Sequence, residues 1–256
     1  LHPEPPGCAP ATRAQRSGLE FVAESLSGLA ALDEHGARLL LFSDDGSLFT
    51  FTGERVGMHE PTQVAGLHMR ATGTALELAY DGPMLRFPDT TPFLDLEHGL
   101  AGARVLDACV RLRFASSHDG EDGPCPFGSV EGRATLGDLV REVRGHGVST
   151  RRGSRRGAHA RAVLAGANGA LLFDGDGTSF LCRSGRHRAV AHADIALDGS
   201  TLRLRGTSED GASIGIDAEV LHRLPVVRGG PPPGRLLFAA CRAASGLAGW
   251  VEIPEP

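Results

Sequence analysis

Residues 128–173 have the sequence GSVEGRATLGDLVREVRGHGVSTRRGSRRGAHARAVLAGANGALLF, and this stretch decides how the chain is organised. Gly137-Asp138 is a turn pair between two segments that carry apolar residues, so it predicts a β-hairpin. An arginine-rich turn follows, and a new strand is predicted from residue 159 onward. The stretch lies midway between two halves that resemble each other, so we expect it to connect them.

Strands separated by turn signals account for most of the remaining chain. Segments 37–43 and 47–53 flank Asp44-Asp45-Gly46, which predicts another hairpin. Apolar and polar residues alternate through 103–116, as in a strand with one buried face. Strands that recur every 8–12 residues or so predict an all-β sandwich or barrel, without long helices. We expect Asp81-Gly82-Pro83 to break the chain between elements.

The two halves share short sequence segments in the same order. LLFSDDGSLF at 40–49 matches LLFDGDGTSF at 171–180, and GTALEL at 73–78 matches GSTLRL at 199–204. Hairpins with Asp-Gly turns are similar by chance in many proteins, which is the alternative explanation. Two matches at nearly the same spacing favour an internal duplication.

The composition shifts of the chain predict its division into domains. Residues 1–18 are rich in proline and lack periodicity, so they form a flexible leader that does not have the pattern of a signal peptide. Residues 116–128 carry no apolar pattern and are the best boundary between the halves. The prediction is therefore an N-terminal β domain at 19–127 and a C-terminal β domain at 128–256.

Charge and cysteine content limit the classes of partner. The net charge is -5, which argues against a protein dedicated to nucleic acid. The five cysteines are widely spaced without a Cys-x-x-Cys pair, so we expect reduced thiols and a cytoplasmic location. No apolar run approaches the roughly 18 residues that span a membrane, so no membrane span is expected. The chain is predicted to be a monomer or a homodimer.

The junction resembles that of the carotenoid-hydratase-like, AttH-like family. The residues that carry the resemblance are Val130-x-Gly132, the hairpin, and the Gly-x-Gly turn that begins at Gly145 and continues through arginines to Gly153. The closing Gly-rich segment, 246–252, is similar to the last strand of that family. The resemblance implies two tandem lipocalin-like antiparallel β-barrels or half-barrels that pack together around a cavity.

The same resemblance implies a set of candidate site residues. It suggests His146 and His159 as general acid or base, because an imidazole titrates near neutral pH. It suggests Asp107 or Glu252 as the carboxylate that orients a histidine. The residues that it implies for ligand binding are Ser149, Arg151, Arg161 and Trp250.

The arginine cluster between residues 141 and 161 has three interpretations. It could bind an anion through guanidinium groups, or it could be a solvated turn. In the third interpretation, one or two of its arginines point inward and pair with Asp107 or Glu252. The 11 histidines form no compact set at strand spacing, so no metal site is expected. No phosphate-binding or dinucleotide motif is present, so no cofactor is expected.

Two functions remain open from the sequence. The first is an enzyme, such as a hydratase, cyclase or isomerase, that acts on an isoprenoid, lipid or polyketide-like molecule near the domain junction. The second is a lipocalin-like carrier or a structural β protein without catalysis. The family's junction Asp and its Ser-Trp-Gly triplet are absent here, which favours the second function.

Overall fold

A computed structural model of the protein describes residues 17–33, 36–54, 63–89, 102–117, 127–150, 160–167, 169–174, 179–183, 186–228 and 234–255. Every helix or strand in these ranges is a β-strand, so the all-β prediction is confirmed. The ranges accordingly contain no helix that could cross a membrane. Most of the predicted leader, residues 1–18, lies outside them, and the first strand begins at Ser17.

Ten antiparallel strands form the first sheet. They are β1 (Ser17–Ala23), β2 (Leu26–Leu32), β3 (Gly36–Ser43), β4 (Leu48–Glu54), β5 (Gln63–Val64), β6 (Leu67–Thr72), β7 (Ala75–Phe87), β8 (Arg104–Ser116), β9 (Phe127–Leu136) and β10 (Leu139–Thr150). Their order is β4-β3-β2-β1-β10-β9-β8-β7-β6-β5, and β4 also pairs with β7. That pairing closes the sheet into a barrel, from which β5 and β6 extend.

Eight antiparallel strands form the second sheet. They are β11 (Arg161–Gly166), β12 (Gly169–Asp174), β13 (Phe180–Arg183), β14 (Arg186–Asp198), β15 (Thr201–Ser208), β16 (Ser213–Arg228), β17 (Gly234–Ala243) and β18 (Ala248–Glu255). Neighbours in sequence pair throughout, and β18 pairs with β11 to close the barrel. The protein therefore consists of two tandem lipocalin-like barrels, as predicted.

The expected chain break at Asp81-Gly82-Pro83 was wrong, because β7 continues through all three residues. The first part of β7 pairs with β6 as far as Tyr80, and its end pairs with β4 from Leu85 onward. Pro83 lies between these two neighbours, where no described residue pairs with that side of the strand. A proline, which lacks the amide hydrogen, is tolerated at such a position.

The sheets divide the chain later than residue 128. Strands β9 and β10 pair with β8 and β1, so the whole hairpin around Gly137 belongs to the first sheet. As a boundary between sheets, 127/128 is therefore too early, and the first strand of the second barrel begins at Arg161. The hydrophobic pattern could not reveal this, because a hairpin carries no mark of the sheet that it joins.

The repeated segments lie at hairpins of both barrels, but only one of the two pairs holds the same place in each barrel. Residues 40–49 span the β3–β4 turn, and residues 171–180 connect β12 to β13. The second pair of segments begins at Gly73 and Gly199, which have φ of 58° and 54° in the turns before β7 and β15. The first pair joins the third and fourth strands of one barrel but the second and third strands of the other, whereas the second pair precedes the fifth strand of both, so duplication stays a prediction.

Large side chains fill the interior of the first barrel. Tyr80, Phe21, Phe49 and Phe114 are at most 1% exposed, and aliphatic residues from every main strand pack around them. The alternation predicted for 103–116 is confirmed, with the even-numbered residues of β8 on this inner face. Rings of this size leave the first barrel with a packed core.

Smaller side chains line the second barrel. Alanines occupy inner positions on several strands, among them Ala162, Ala218 and Ala239. Other inner-face residues remain partly accessible although they point inward, and these are Leu181, Ala193, Ile195, Leu197, Ile214, Ile216 and Val220. The second barrel is therefore less completely filled than the first.

The two barrels pack against each other through a continuous apolar interface. Trp250 of β18 lies 5.3 Å from Phe42 of β3, measured between ring centroids. The Trp250 indole also donates a buried hydrogen bond of 3.0 Å to the carbonyl of Phe21. Phe238 and Leu224 of the second barrel belong to the same cluster.

Tyr80 supplies a test of the filled first barrel. Burial, followed by the charge of Asp81, raises the pKa of its phenol to about 12. Its hydroxyl donates a hydrogen bond of 2.6 Å to the carbonyl of Pro83. Between the unfolded pKa of about 10 and the folded one, the unfolded chain binds fewer protons, so the free energy of unfolding should fall as pH rises.

We expect phenolate absorbance to rise near pH 12 in the native protein, which contains a single tyrosine. Tyr80→Phe should remove the part of the alkaline loss of stability that comes from this group. A native phenol that titrates near 10, like a free one, would contradict a tightly filled interior.

Candidate functional site

One end of the second barrel is open. The connections after β11, β13, β15 and β17 all lie at this end, because successive antiparallel strands alternate in direction. A pocket of about 600 Å³ occupies this mouth. Its lining residues are His146, Gly166, Ala167, Gly169, Ala170, Leu181, Cys182, Ser213, Ile214, Gly215, Ile216, Ser245, Gly246 and Leu247.

The pocket wall is mainly aliphatic. Leu181, Ile214 and Ile216 come from the inner face of the barrel, and Leu247 closes the β17–β18 turn. Polar groups are few, namely the imidazole of His146 and the hydroxyls of Ser213 and Ser245. No carboxylate belongs to the described lining. The site thus offers an apolar surface with a small number of hydrogen-bonding groups.

His146 is the contribution of the first barrel to this pocket. It lies on β10 opposite Val22, which packs between the barrels, so its side chain points away from the core of the first barrel. The neighbouring Val148 packs against Val163 and Cys182 of the second barrel. The half-buried imidazole therefore lies at the seam, beside the mouth of the second barrel.

The close packing of β1 against β10 explains the glycines on either side of His146. A Cβ at Gly145 would clash with the carbonyl oxygen of Val22, and a Cβ at Gly147 would lie 2.6 Å from that of Glu20. Both glycines therefore let β1 pack closely against β10. The Gly-His-Gly pattern therefore serves strand packing here.

A buried ion cluster lies elsewhere in the same interface. Arg161 donates a 2.7 Å hydrogen bond to Glu20 of the first barrel and one of 3.4 Å to Glu252 of β18. The three side chains are only 8–11% exposed. The second oxygen of Glu20 is buried and accepts no hydrogen bond from a described residue. Arg161 does pair with Glu252, as one interpretation of the arginine cluster predicted, but the pair lies between the barrels and not in the cavity that this interpretation assumed.

The predicted site residues fall in separate places. His146 lines the pocket, whereas Arg161, Glu252 and Trp250 lie between the barrels. Ser149 is buried opposite Leu19, on the inner face of the first barrel.

The other candidates do not join this group. Asp107 is exposed on the outer face of β8, opposite Pro83. His159 and Arg151 lie outside the described residues. Of the described candidates, only His146 reaches the pocket, and their roles stay predictions.

Sequence reasoning missed most of the pocket wall. Ile214 and Ile216 alternate with small residues in SIGIDAEV, residues 213–220, and that alternation was the available signal. Glu20 was also missed, since a lone glutamate in a short strand gives no hint of a partner on β11. No three described His, Cys, Asp or Glu side chains form a group that could hold a metal ion.

The ion cluster generates a stability prediction. Arg161→Met removes the cation and leaves Glu20 and Glu252 buried together, which should lower the free energy of unfolding by about 3–5 kcal/mol. Arg141→Met is the matched control, since Arg141 pairs with the half-exposed Asp44 at 2.7 Å. That variant should lose only about 0–1 kcal/mol. Denaturant titration followed by the fluorescence of Trp250 measures both, and equal losses would contradict the assigned role of Arg161.

Comparison with known proteins gives a structural likeness and no sequence family. No family model matches the chain, and no curated protein matches it. The structure of CghA aligns with a TM-score of 0.48 at 10% identity, covering 94% of this chain and 88% of that chain. The structure of CghA with Sch210972 aligns at 0.47 and 11% identity, covering 93% and 86%. Likeness at this level carries no argument about function.

Proposed function

We propose that the protein binds a hydrophobic small molecule, of isoprenoid, lipid or polyketide type, in the mouth of the second barrel. The observation that carries this proposal is the pocket of about 600 Å³ with its aliphatic wall. Ligand pockets in proteins have volumes of roughly 300–1,000 Å³ and are mostly apolar with a few polar groups. The transfer of an apolar ligand from water to the inner faces of β13 and β16 is favourable and stabilises the complex.

The contrast between the barrels supports this choice of site. Aromatic rings occupy the first barrel, so a ligand could enter there only by displacing core side chains. The second barrel has alanines at many inner positions and leaves Ile214 and Ile216 accessible. Binding therefore requires less rearrangement in the second barrel.

The polar groups of the pocket favour a ligand that carries a hydroxyl or carbonyl. His146 approaches from the seam side, whereas Ser213 and Ser245 lie at the rim. A hydrogen bond to a neutral group contributes about 1 kcal/mol, which sets orientation more than affinity.

A carrier is the form of this function that the pocket supports best. General acid–base catalysis needs a proton-transferring group that is held in position. His146 lies in the pocket, but neither Asp107 nor Glu252 lines it. Membership of the carotenoid-hydratase-like family, with hydratase, cyclase or isomerase chemistry at His146, is the second candidate, and the imidazole in the pocket is the observation in its favour.

Filling the pocket tests binding directly. Ile216→Trp places a large ring in the mouth and should weaken binding of retinol, a neutral isoprenoid alcohol, by about tenfold or more, since the ring takes up the ligand's space. Retinol fluorescence on titration gives the affinity. Val105→Trp, at a 71% exposed position on the first barrel, is the control and should bind as the parent does.

Two outcomes would contradict the proposal. One is the failure of retinol, farnesol and oleyl alcohol alike to bind the parent protein, and the other is unchanged retinol binding in Ile216→Trp. His146→Gln separates carrier from enzyme, because a carrier keeps its affinity within about threefold when one neutral hydrogen bond changes. An enzyme would instead lose turnover of a bound isoprenoid while retaining that affinity.

A further inference from the structure

Arg223 lies on the inner face of the second barrel. It is opposite Ala239, which points into that barrel, while its neighbours His222 and Leu224 point the other way. His222 stacks on Phe42 of the first barrel at 5.2 Å, and Leu224 packs in the interface. Since successive side chains of a strand alternate between faces, the Arg223 side chain leaves β16 on the inner face.

A β-bulge causes this orientation. The pairing of β16 with β17 shifts between Val220 and His222, so that Leu221 is the extra residue. Without the shift, the inward series that runs through Ala218 and Val220 would continue to His222. The bulge therefore exchanges the two faces and turns a charged residue toward the interior. Bulges that re-aim a side chain in this way are common beside functional sites.

The surroundings of Arg223 are apolar. Ala239, Val251 and Ala162 follow across the neighbouring strands and are each fully buried. The Arg223 charge also reaches the inward-facing Cys241 thiol, where it opposes the rise in pKa that burial causes. No described carboxylate pairs with Arg223. An anion could therefore bind this exposed guanidinium.

The barrel wall opens next to this arginine. The pairing of β15 with β16 ends at Thr201 and Glu219, whereas β16 continues to Arg228. Beyond Val220, whose amide donates a hydrogen bond to the carbonyl of Ser200, no described residue pairs with the side of β16 that faces β15. Arg223 is exposed at this gap, which lies at the barrel end opposite the mouth.

An apolar stripe on the inner face of β16 runs from the pocket toward Arg223. Ile214 and Ile216 line the pocket, and Ala218 and Val220 continue the same inner stripe along β16. At about 3.3 Å per residue, the stripe from Ile214 to Arg223 is roughly 25–30 Å long, comparable to an extended long acyl chain. The described part of this stripe is thus apolar as far as the guanidinium-bearing Arg223.

We infer that the second barrel binds an amphiphile with one long apolar chain and one carboxylate, and that the Arg223 guanidinium binds the carboxylate. This inference rests on the proposed function, which it narrows to a ligand class. A guanidinium fork matches a carboxylate in geometry, with two parallel hydrogen bonds. A single cation balances the single charge of a carboxylate better than the nearly double charge of a phosphate monoester.

The experiment compares oleate with oleyl alcohol, which has the same chain and no charge. Arg223→Gln should weaken oleate binding by about tenfold or more, because a charge-assisted pair is lost. It should leave oleyl alcohol within about twofold, and Arg223→Lys should retain part of the oleate affinity as a point charge. Isothermal titration gives all affinities. Arg203→Gln is the matched control, since Arg203 is exposed and pairs with Asp198 at 3.4 Å.

The outcomes distinguish a failure of the carboxylate assignment from a failure of the proposed function. If oleyl alcohol and retinol bind but oleate binds no more tightly, or if Arg223→Gln leaves oleate unchanged, the carboxylate assignment is overturned and the apolar pocket survives. Tighter binding of oleyl phosphate than of oleate would also overturn it. If no probe binds the parent protein, both the inference and the proposed function are lost. Melting temperatures of the variants exclude unfolding as the cause of any loss.

Discussion

A closed barrel of eight strands encloses an interior of fixed width, and its inward side chains either fill that width or leave it hollow. The first barrel fills it with Tyr80, Phe21, Phe49 and Phe114. The second has fewer rings among its described inner residues and keeps aliphatic side chains accessible on β14 and β16. The two barrels therefore share one architecture but differ in the size of their inner side chains, so the first is packed and the second is less completely filled.

The first barrel contributes more than stability. Strand β10 brings His146 to the mouth of the second barrel, and β1 supplies Glu20 to the buried cation Arg161. Two adjacent strands of the second barrel contact β1. Arg161 of β11 pairs with the Glu20 carboxylate, and the Trp250 indole of β18 donates a hydrogen bond to the Phe21 carbonyl. Burial lowers the pKa of His222, which keeps the imidazole that stacks on Phe42 neutral in this same interface. The orientation of the barrels, and thus the shape of the seam, depends on these few polar contacts within an apolar interface.

Local patterns predicted local structure well. The hairpins at Asp45-Gly46 and Gly137-Asp138 formed as expected, because turn chemistry and period-two alternation act within a few residues. Non-local features escaped prediction. The pairing of Arg161 with Glu20 joins residues on different barrels, and the continuation of β7 through Pro83 depends on which strands lie beside it. The bulge before His222, which decides what Arg223 faces, leaves no mark in the alternation itself. Of the candidate site, only His146 was placed by sequence at the described pocket.

Strand β1 lies between β2 and β10, so the first residue ladder of the chain is completed only by residues 145–150. During synthesis, one edge of β1 stays unpaired until residues 145–150 have left the ribosome. The second barrel repeats the situation, since β11 needs β18. Loop closure over such distances slows folding, and unpaired edges invite association between nascent chains. The arrangement that pairs both edges of β1 and β11 in the finished protein therefore leaves one edge of each strand unpaired until the last strand of its barrel has been made.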